Sequence, residues 1–284
     1  MYQKQTEIEV EDARAMLDFP VVKQEVQTVI DDCKTITVPN KLAIVRPDTQ
    51  QVLSVMSEKY TLLPHKVMLD EAISHLEDAG FDYRINKCEL LNNGGRAVVG
   101  FTLKELTHQF GDGDTLDYQL YFKNSYDGSW AFDFTSGFFR LVCSNGLMVG
   151  EVADRIHRKH SSRFHINPIV DQITEYVNRS KALGIDNFMK MKQSKISISR
   201  GIELIGQSIE EKIWPKKYKE VVEDNFVNRR DSISNDSIYD VYNAYTRELR
   251  DMRSHSDKKD DVSFMRVNTL GNDVFSYYRN QIVA

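Results

Sequence analysis

The sequence predicts an α+β fold, an antiparallel sheet with a packed helix followed by a mainly helical C-terminal region, and three observations carry that prediction. Tyr118, Leu120 and Phe122, and then Trp130, Phe132 and Phe134, alternate with polar neighbours. Period-two alternation puts each trio on one face of a strand. Turn formers separate such stretches: Asn92-Asn93-Gly94-Gly95 stands between one pair and Asn124-Ser125-Tyr126-Asp127-Gly128-Ser129 between another. Short polar links of this kind join antiparallel neighbours. From residue 151 onward the pattern changes from period two to that of helices.

Taken in order, residues 1–34 read as a polar N-terminal segment in which Ala13, Met16 and Leu17 share a helical face. Residues 35–150 read as the antiparallel core domain. It opens with short strands at Thr35–Val38 and Leu42–Val45 around a Pro39-Asn40 turn, then a strand at Val52–Met56. A helix from Lys66 to Ala79 follows, because Leu69, Ala72, Ile73 and Leu76 fall on one face and Gly80 stands where a left-handed cap belongs. Strands at Tyr83–Leu91 and Ala97–Leu103 flank the Asn92–Gly95 turn. Gly111–Asp114 makes the next loop, and the aromatic stretch from Tyr118 ends in a turn at Ser144-Asn145-Gly146.

Residues 151–284 read as a helical C-terminal region. Helices are expected over Glu151–His160, Pro168–Leu183 with Gly184 as its stop, and Gly201–Ile213. Ser237–Met252 is the best patterned of them: Ile238, Val241, Tyr242, Tyr245 and Leu249 form a stripe, and Ser237 with Asp240 is placed to form a capping box. Asn225–Asp236 reads as a loop, residues 253–262 as another, and Thr269–Ile282 as a last helix.

Composition narrows the function classes. With 284 residues, 41% hydrophobic and 28% charged, the chain has the make-up of an ordinary globular protein. A net charge of -5 excludes a uniformly basic nucleic-acid binder but not a local basic patch. Cys33, Cys88 and Cys143 lack zinc spacing and are odd in number, which suits buried thiols in a reducing compartment. The N-terminus has no apolar core and no run is long enough for a membrane span, so a cytoplasmic protein without a membrane partner is expected.

Several motifs together identify a resemblance. Tyr60-Thr61-Leu62-Leu63-Pro64-His65, Gly94-Gly95-Arg96, Lys123 to Ser129, Arg140-Leu141-Val142-Cys143-Ser144-Asn145-Gly146 and Tyr239 to Thr246 occur in this order. They resemble the phage and plasmid proteins of the domain of unknown function 932 family, over roughly residues 40 to 250. Gly146 stands where that family commonly has threonine. The resemblance implies mobile-element biology beside replication and recombination, in the host cytoplasm where the gene is phage-borne. The family name assigns no activity.

Candidate contacts follow from charge and chemistry. Residues 140–165 hold Arg140, Arg155, Arg158, Lys159 and Arg163 against Glu151 and Asp154, a net +3. A helix there would place Arg155, Arg158 and Lys159 within one turn, suited to tracking phosphates. The Lys123-Asn124-Ser125-Tyr126 tip reads either as a structural hairpin or as a grip in which hydroxyls and amide hold phosphate and an exposed Tyr126 stacks on a base. Arg84, Lys87 and Arg96 lie on the preceding hairpin and extend the basic surface. His157 and His160 lack the glutamate of a metalloprotease motif, and neither a metal nor another cofactor is expected. The expected role is therefore single-stranded nucleic-acid binding or annealing by a homo-oligomer. Two rivals stand beside it: a protein-interaction module with a host protein partner, and a metal-dependent nuclease built on Asp117, Asp127 and Asp133.

Overall fold

The computed structural model describes residues 7–31, 34–109, 115–141, 148–162, 164–167, 171–230, 234–254 and 261–282. The fold is α+β, with two antiparallel sheets and a helical C-terminal region. Helix α1 (Val10–Leu17) precedes a three-stranded sheet of β1 (Val22–Asp31), β2 (Lys34–Arg46) and β3 (Gln51–Ser57) in that order. Helix α2 (His65–Asp78) leads into a five-stranded meander, β4 (Tyr83–Leu91), β5 (Arg96–Gln109), β6 (Thr115–Ser125), β7 (Phe132–Leu141) and β8 (Met148–Arg158), again in sequence order. Helices α3 (Ile173–Gln193), α4 (Ile198–Glu210), α5 (Lys219–Val227), α6 (Ile238–Ser254) and α7 (Asp261–Asn280) complete the described chain.

Alternation decides which face of the meander is dry. Ala97, Val99, Phe101 and Leu103 on β5, Tyr118, Leu120 and Phe122 on β6, and Phe132, Phe134 and Phe138 on β7 all enter the main core. Met68, Leu69, Ala72, Ile73 and Leu76 of α2 enter the same core, as the helical spacing predicts. Each such side chain contributes on the order of 1.5–3 kcal/mol by leaving water. α3 lies on β7 and β8, and Phe134 stacks on Tyr176 with centroids 6.1 Å apart. The α6 stripe is buried, and a hydroxyl chain links Ser208, Tyr245 and Tyr278 at 2.7 and 2.9 Å. Ser237 and Asp240 form the reciprocal cap: the Asp240 N–H donates to Ser237 Oγ at 3.2 Å and the Ser237 N–H to Asp240 Oδ2 at 3.1 Å.

Five expectations need correction. Residues 22–31, read as polar preamble, form strand β1, because pairing with β2 supplies the order that sequence alternation does not signal. Pro39-Asn40 does not reverse the chain. β2 runs through it as an irregular stretch where Asn40 takes φ 59° and the register jumps from Leu42 opposite Glu25 to Thr37 opposite Gln27. Residues 151–158 are strand rather than helix, and the boundary placed at 150 falls inside β8. The backbone bonds that β7 offers along ten register pairs outweigh the local helical spacing. Gly184 lies within α3, whose packing on β7, β8, α6 and α7 offsets the roughly 1 kcal/mol a mid-helix glycine costs. The expected loop over 225–236 also begins inside α5, where Asn225 is buried and donates to the Ala244 carbonyl at 3.3 Å. Gly111–Asp114 and Ser144–Gly146 lie outside the described residues.

Candidate functional site

The segment before α2, the β4–β5 turn and the β6–β7 tip meet at one joint. Asn92 and Asn93 adopt φ 50° and 55°, and Gly94 φ 89°, so the β4–β5 turn is tight. A side chain at Gly94 would put Cβ 2.8 Å from Arg46 Nη1 and 3.0 Å from Phe19 Cζ. That closeness lets the Gly94 carbonyl reach the fully buried His65, whose Nε2 lies 3.1 Å away. Asn124 Nδ2 donates to the Leu63 carbonyl at 2.7 Å and lies 2.8 Å from His65 Nδ1. Both contacts are satisfied when the proton sits on Nε2, which fixes the tautomer. Tyr126 stacks on the imidazole at 3.9 Å, its hydroxyl accepts the His65 backbone N–H at 2.7 Å, and its own N–H donates to the Gly95 carbonyl at 2.7 Å. The Tyr60 hydroxyl donates to the Ser125 carbonyl at 2.6 Å, and Ser54 Oγ to that of Tyr126 at 2.7 Å.

Charge at the joint is held in place. Asp127 accepts from Arg96 Nε at 2.7 Å, from Asn92 Nδ2 at 2.9 Å and from the Ser129 N–H at 2.9 Å. Burial works to raise this carboxyl, but the bonds from Ser129, Arg96 and Asn92 outweigh it and hold it below its ordinary range. Burial depresses His65 to about 4, so its imidazole is neutral at pH 7. His160, beside Tyr60 and Phe164, is also lowered to about 4 by burial, and neither of its ring nitrogens has a hydrogen-bond partner among the described residues. Burial raises the hydroxyls of Tyr60 and Tyr126 well above their usual value.

This geometry corrects the proposed hairpin grip. Asn124, Ser125 and Tyr126 are buried and spend their polar groups on neighbouring backbone, so the tip offers no exposed base platform. The sequence pattern placed them in a turn, whereas Asn124 and Ser125 end β6 and the reversal comes at Gly128 with φ 69°. Phe19, from the stretch between α1 and β1, packs edge-on to both His65 and Tyr126, which excludes water further.

The predicted cations fall into three groups. Arg84, Lys87, Arg96 and Lys123 share the face of the meander opposite the core, as β5 and β6 alternation requires. Three of them are tied to carboxylates: Arg84 to Asp117 at 3.2 Å, Lys87 to Glu89 at 2.9 Å and Arg96 to Asp127 at 2.7 Å. In the register Lys123 stands opposite Asp133. Arg158 and Lys159, at the exit of β8, are exposed and have no carboxylate partner among the described residues, but a strand rather than a helical turn carries Arg158. The backbones of Arg140 and Arg155 stand opposite Leu116 and Thr135. Their side chains, and Arg163, lie outside the described residues.

The three aspartates suggested for a nuclease have separate partners. Asp117 binds Arg84 and Thr107, Asp127 binds Arg96, and Asp133 accepts from Thr135 and lies 3.2 Å from His157. No group of three metal-ligating side chains gathers among the described residues.

A denser basic cluster escaped the sequence reading. Lys212, Lys216, Lys217 and Lys219 place four cations and no carboxylate in eight residues. Lys212, Lys216 and Lys217 are exposed and carry no ion pair among the described residues, and Lys217 Nζ sits 4.5 Å from the Tyr218 ring centroid. A shorter counting window was the signal that would have found it.

Tyr60, Leu63, His65, Gly94, Gly95, Arg96 and Asn124 to Asp127 of the joint belong to the motifs noted in the sequence. A family model described as Domain of unknown function (DUF932) matches residues 52–267. The chain belongs to the DUF932 family. No curated protein and no solved structure matches it. The DUF932 match takes in the 60–65 segment, both hairpin turns and α6, so the joint lies within it, while Phe19 and Arg46, which close over Gly94, lie before it. No helix among the described residues is long and apolar enough to cross a membrane.

Proposed function

We propose that this DUF932 protein binds single-stranded nucleic acid without catalysis, as part of an annealing, recombination or replication step of a phage or other mobile element in the cytoplasm. The observation that carries the reading is the corner of Lys212, Lys216 and Lys217 beside Tyr218, where exposed ammonium groups lack carboxylate partners among the described residues. Such cations bind phosphates and release counterions, and a half-buried tyrosine beside them offers a ring face to a base. Arg158 and Lys159 add a second exposed pair without a carboxylate partner among the described residues. Arg84, Lys87 and Arg96 shape the sheet instead, since each already holds a carboxylate.

Fluorescence anisotropy with a labelled single-stranded oligonucleotide across a salt series tests this. Each phosphate contact contributes about 0.7 to the log–log salt slope of a single strand, so replacing all three lysines by alanine lowers the slope by about 2. Absence of binding at low salt overturns the reading. A second reading, a protein-interaction module, is favoured by the exposed Val29, Ile30 and Ile36 on the β1–β2 hairpin. Co-purification of a stoichiometric host protein, with no nucleic acid, supports it.

A further inference from the structure

Beyond the irregular stretch at 38–41, β1 and β2 project as a two-stranded arm, Gln27–Asp31 against Lys34–Thr37. Val29, Ile30 and Ile36 on this arm are 68%, 53% and 45% exposed. A two-stranded hairpin with no buried face is marginal in water, so an arm of this shape gains its stability from a cover. β1 is the edge of its sheet, and residues 26–30 carry no charge to guard that edge.

The charge pattern selects the partner. Residues 22–38 hold Lys23 and Lys34 against Glu25, Asp31 and Asp32, a net -1 that disfavours a polyanion. β1 has its cation near the start, Lys23, and a carboxylate at its end, Asp31. A second copy of β1 laid antiparallel and centred on Gln27 sets Glu25 opposite Val29 and brings the Lys23 end of each strand to the Asp31 end of the other, across the register irregularity between Val29 and Asp31. Opposite charges placed across a strand pair stabilise it. This two-fold arrangement uses one patch on both copies and closes on itself.

We infer that the β1 edge is a self-association surface, through which two copies of this chain join antiparallel into a continuous six-stranded sheet. The arrangement is independent of nucleic-acid binding, so either can fail alone. Light scattering coupled to size exclusion, over a concentration series of the full chain, gives the mass. Twice the chain mass is expected, and a monomer throughout overturns the inference. Val29→Glu places like charges opposite one another through Glu25, and because Val29 is exposed the fold is retained, as circular dichroism checks. This variant is expected to run as a monomer. Adding Glu25→Lys to it restores opposite charges and the dimer. A Val29→Glu protein that stays dimeric, or a double variant that stays monomeric, overturns the pairing, and a larger assembly unchanged by Val29→Glu does so as well. Single-strand affinity measured on the same samples reports separately on the lysine corner.

Discussion

Acid weakens this fold through two histidines before its carboxylates titrate. His65 and His160 sit near 4 when folded and near 6.5 when unfolded, because burial disfavours the charged imidazole. Between those values the unfolded chain binds the extra protons, so stability is full above about pH 6.5 and falls as pH drops towards 4. At pH 5 the unfolded state gains about 2 kcal/mol per histidine, and about 4 kcal/mol for the pair, from 1.36 kcal/mol for each pH step below 6.5. For a chain of this size that corresponds to a fall in melting temperature of roughly 10 °C. Urea melts or calorimetry at pH 7 and pH 5 measure it. His160→Phe supplies the internal control, since it keeps a ring between Tyr60 and Phe164 and removes two ring nitrogens that have no hydrogen-bond partner among the described residues. The variant is expected to lose about half of the acid effect and to match or exceed the parent at pH 7, because a buried unsatisfied polar group costs about 1–3 kcal/mol. Equal stability at the two pH values, or an undiminished drop in His160→Phe, refutes the reasoning.

Gly94→Ala is expected to destabilise by roughly 2 kcal/mol or more, since φ 89° and the 2.8 Å approach to Arg46 Nη1 both oppose a Cβ; a denaturant melt checks it. Arg96→Met removes the ion-pair partner of Asp127, whose side chain is 8% exposed and still accepts from Asn92 and Ser129, and should cost about 1–3 kcal/mol while leaving single-strand affinity of the folded protein unchanged. Adding Asp127→Leu should recover a large part of that loss, read from the same melts. Replacing Lys212, Lys216 and Lys217 by alanine has the opposite signature: stability within about 0.5 kcal/mol of the parent and a weakened salt slope.

Much of the architecture was legible because it rests on local pattern. The alternation of β5, β6 and β7, the α2 face, the α6 stripe and the Ser237–Asp240 cap are written in spacing that a packed layer then uses. β1 and β8 were not legible, because their order comes from pairing with β2 and β7 rather than from their own sequence. The motif residues at the joint were visible as residues, but their role was not. Asn124 and Tyr126 look like an exposed turn until His65 and Gly94, distant in sequence, arrive to take their hydrogen bonds and ring faces. Likewise a count of cations does not reveal that Arg84, Lys87 and Arg96 each face a carboxylate brought by folding.

The salt dependence of single-stranded DNA binding, measured side by side on the parent, the Lys212/Lys216/Lys217 triple alanine and the Arg96→Met, Asp127→Leu pair, bears most directly on where nucleic acid meets this molecule. A slope reduced only in the triple variant is the predicted result. Binding lost in the Arg96 and Asp127 pair while the triple variant binds normally contradicts it, and puts the contact back on the sheet.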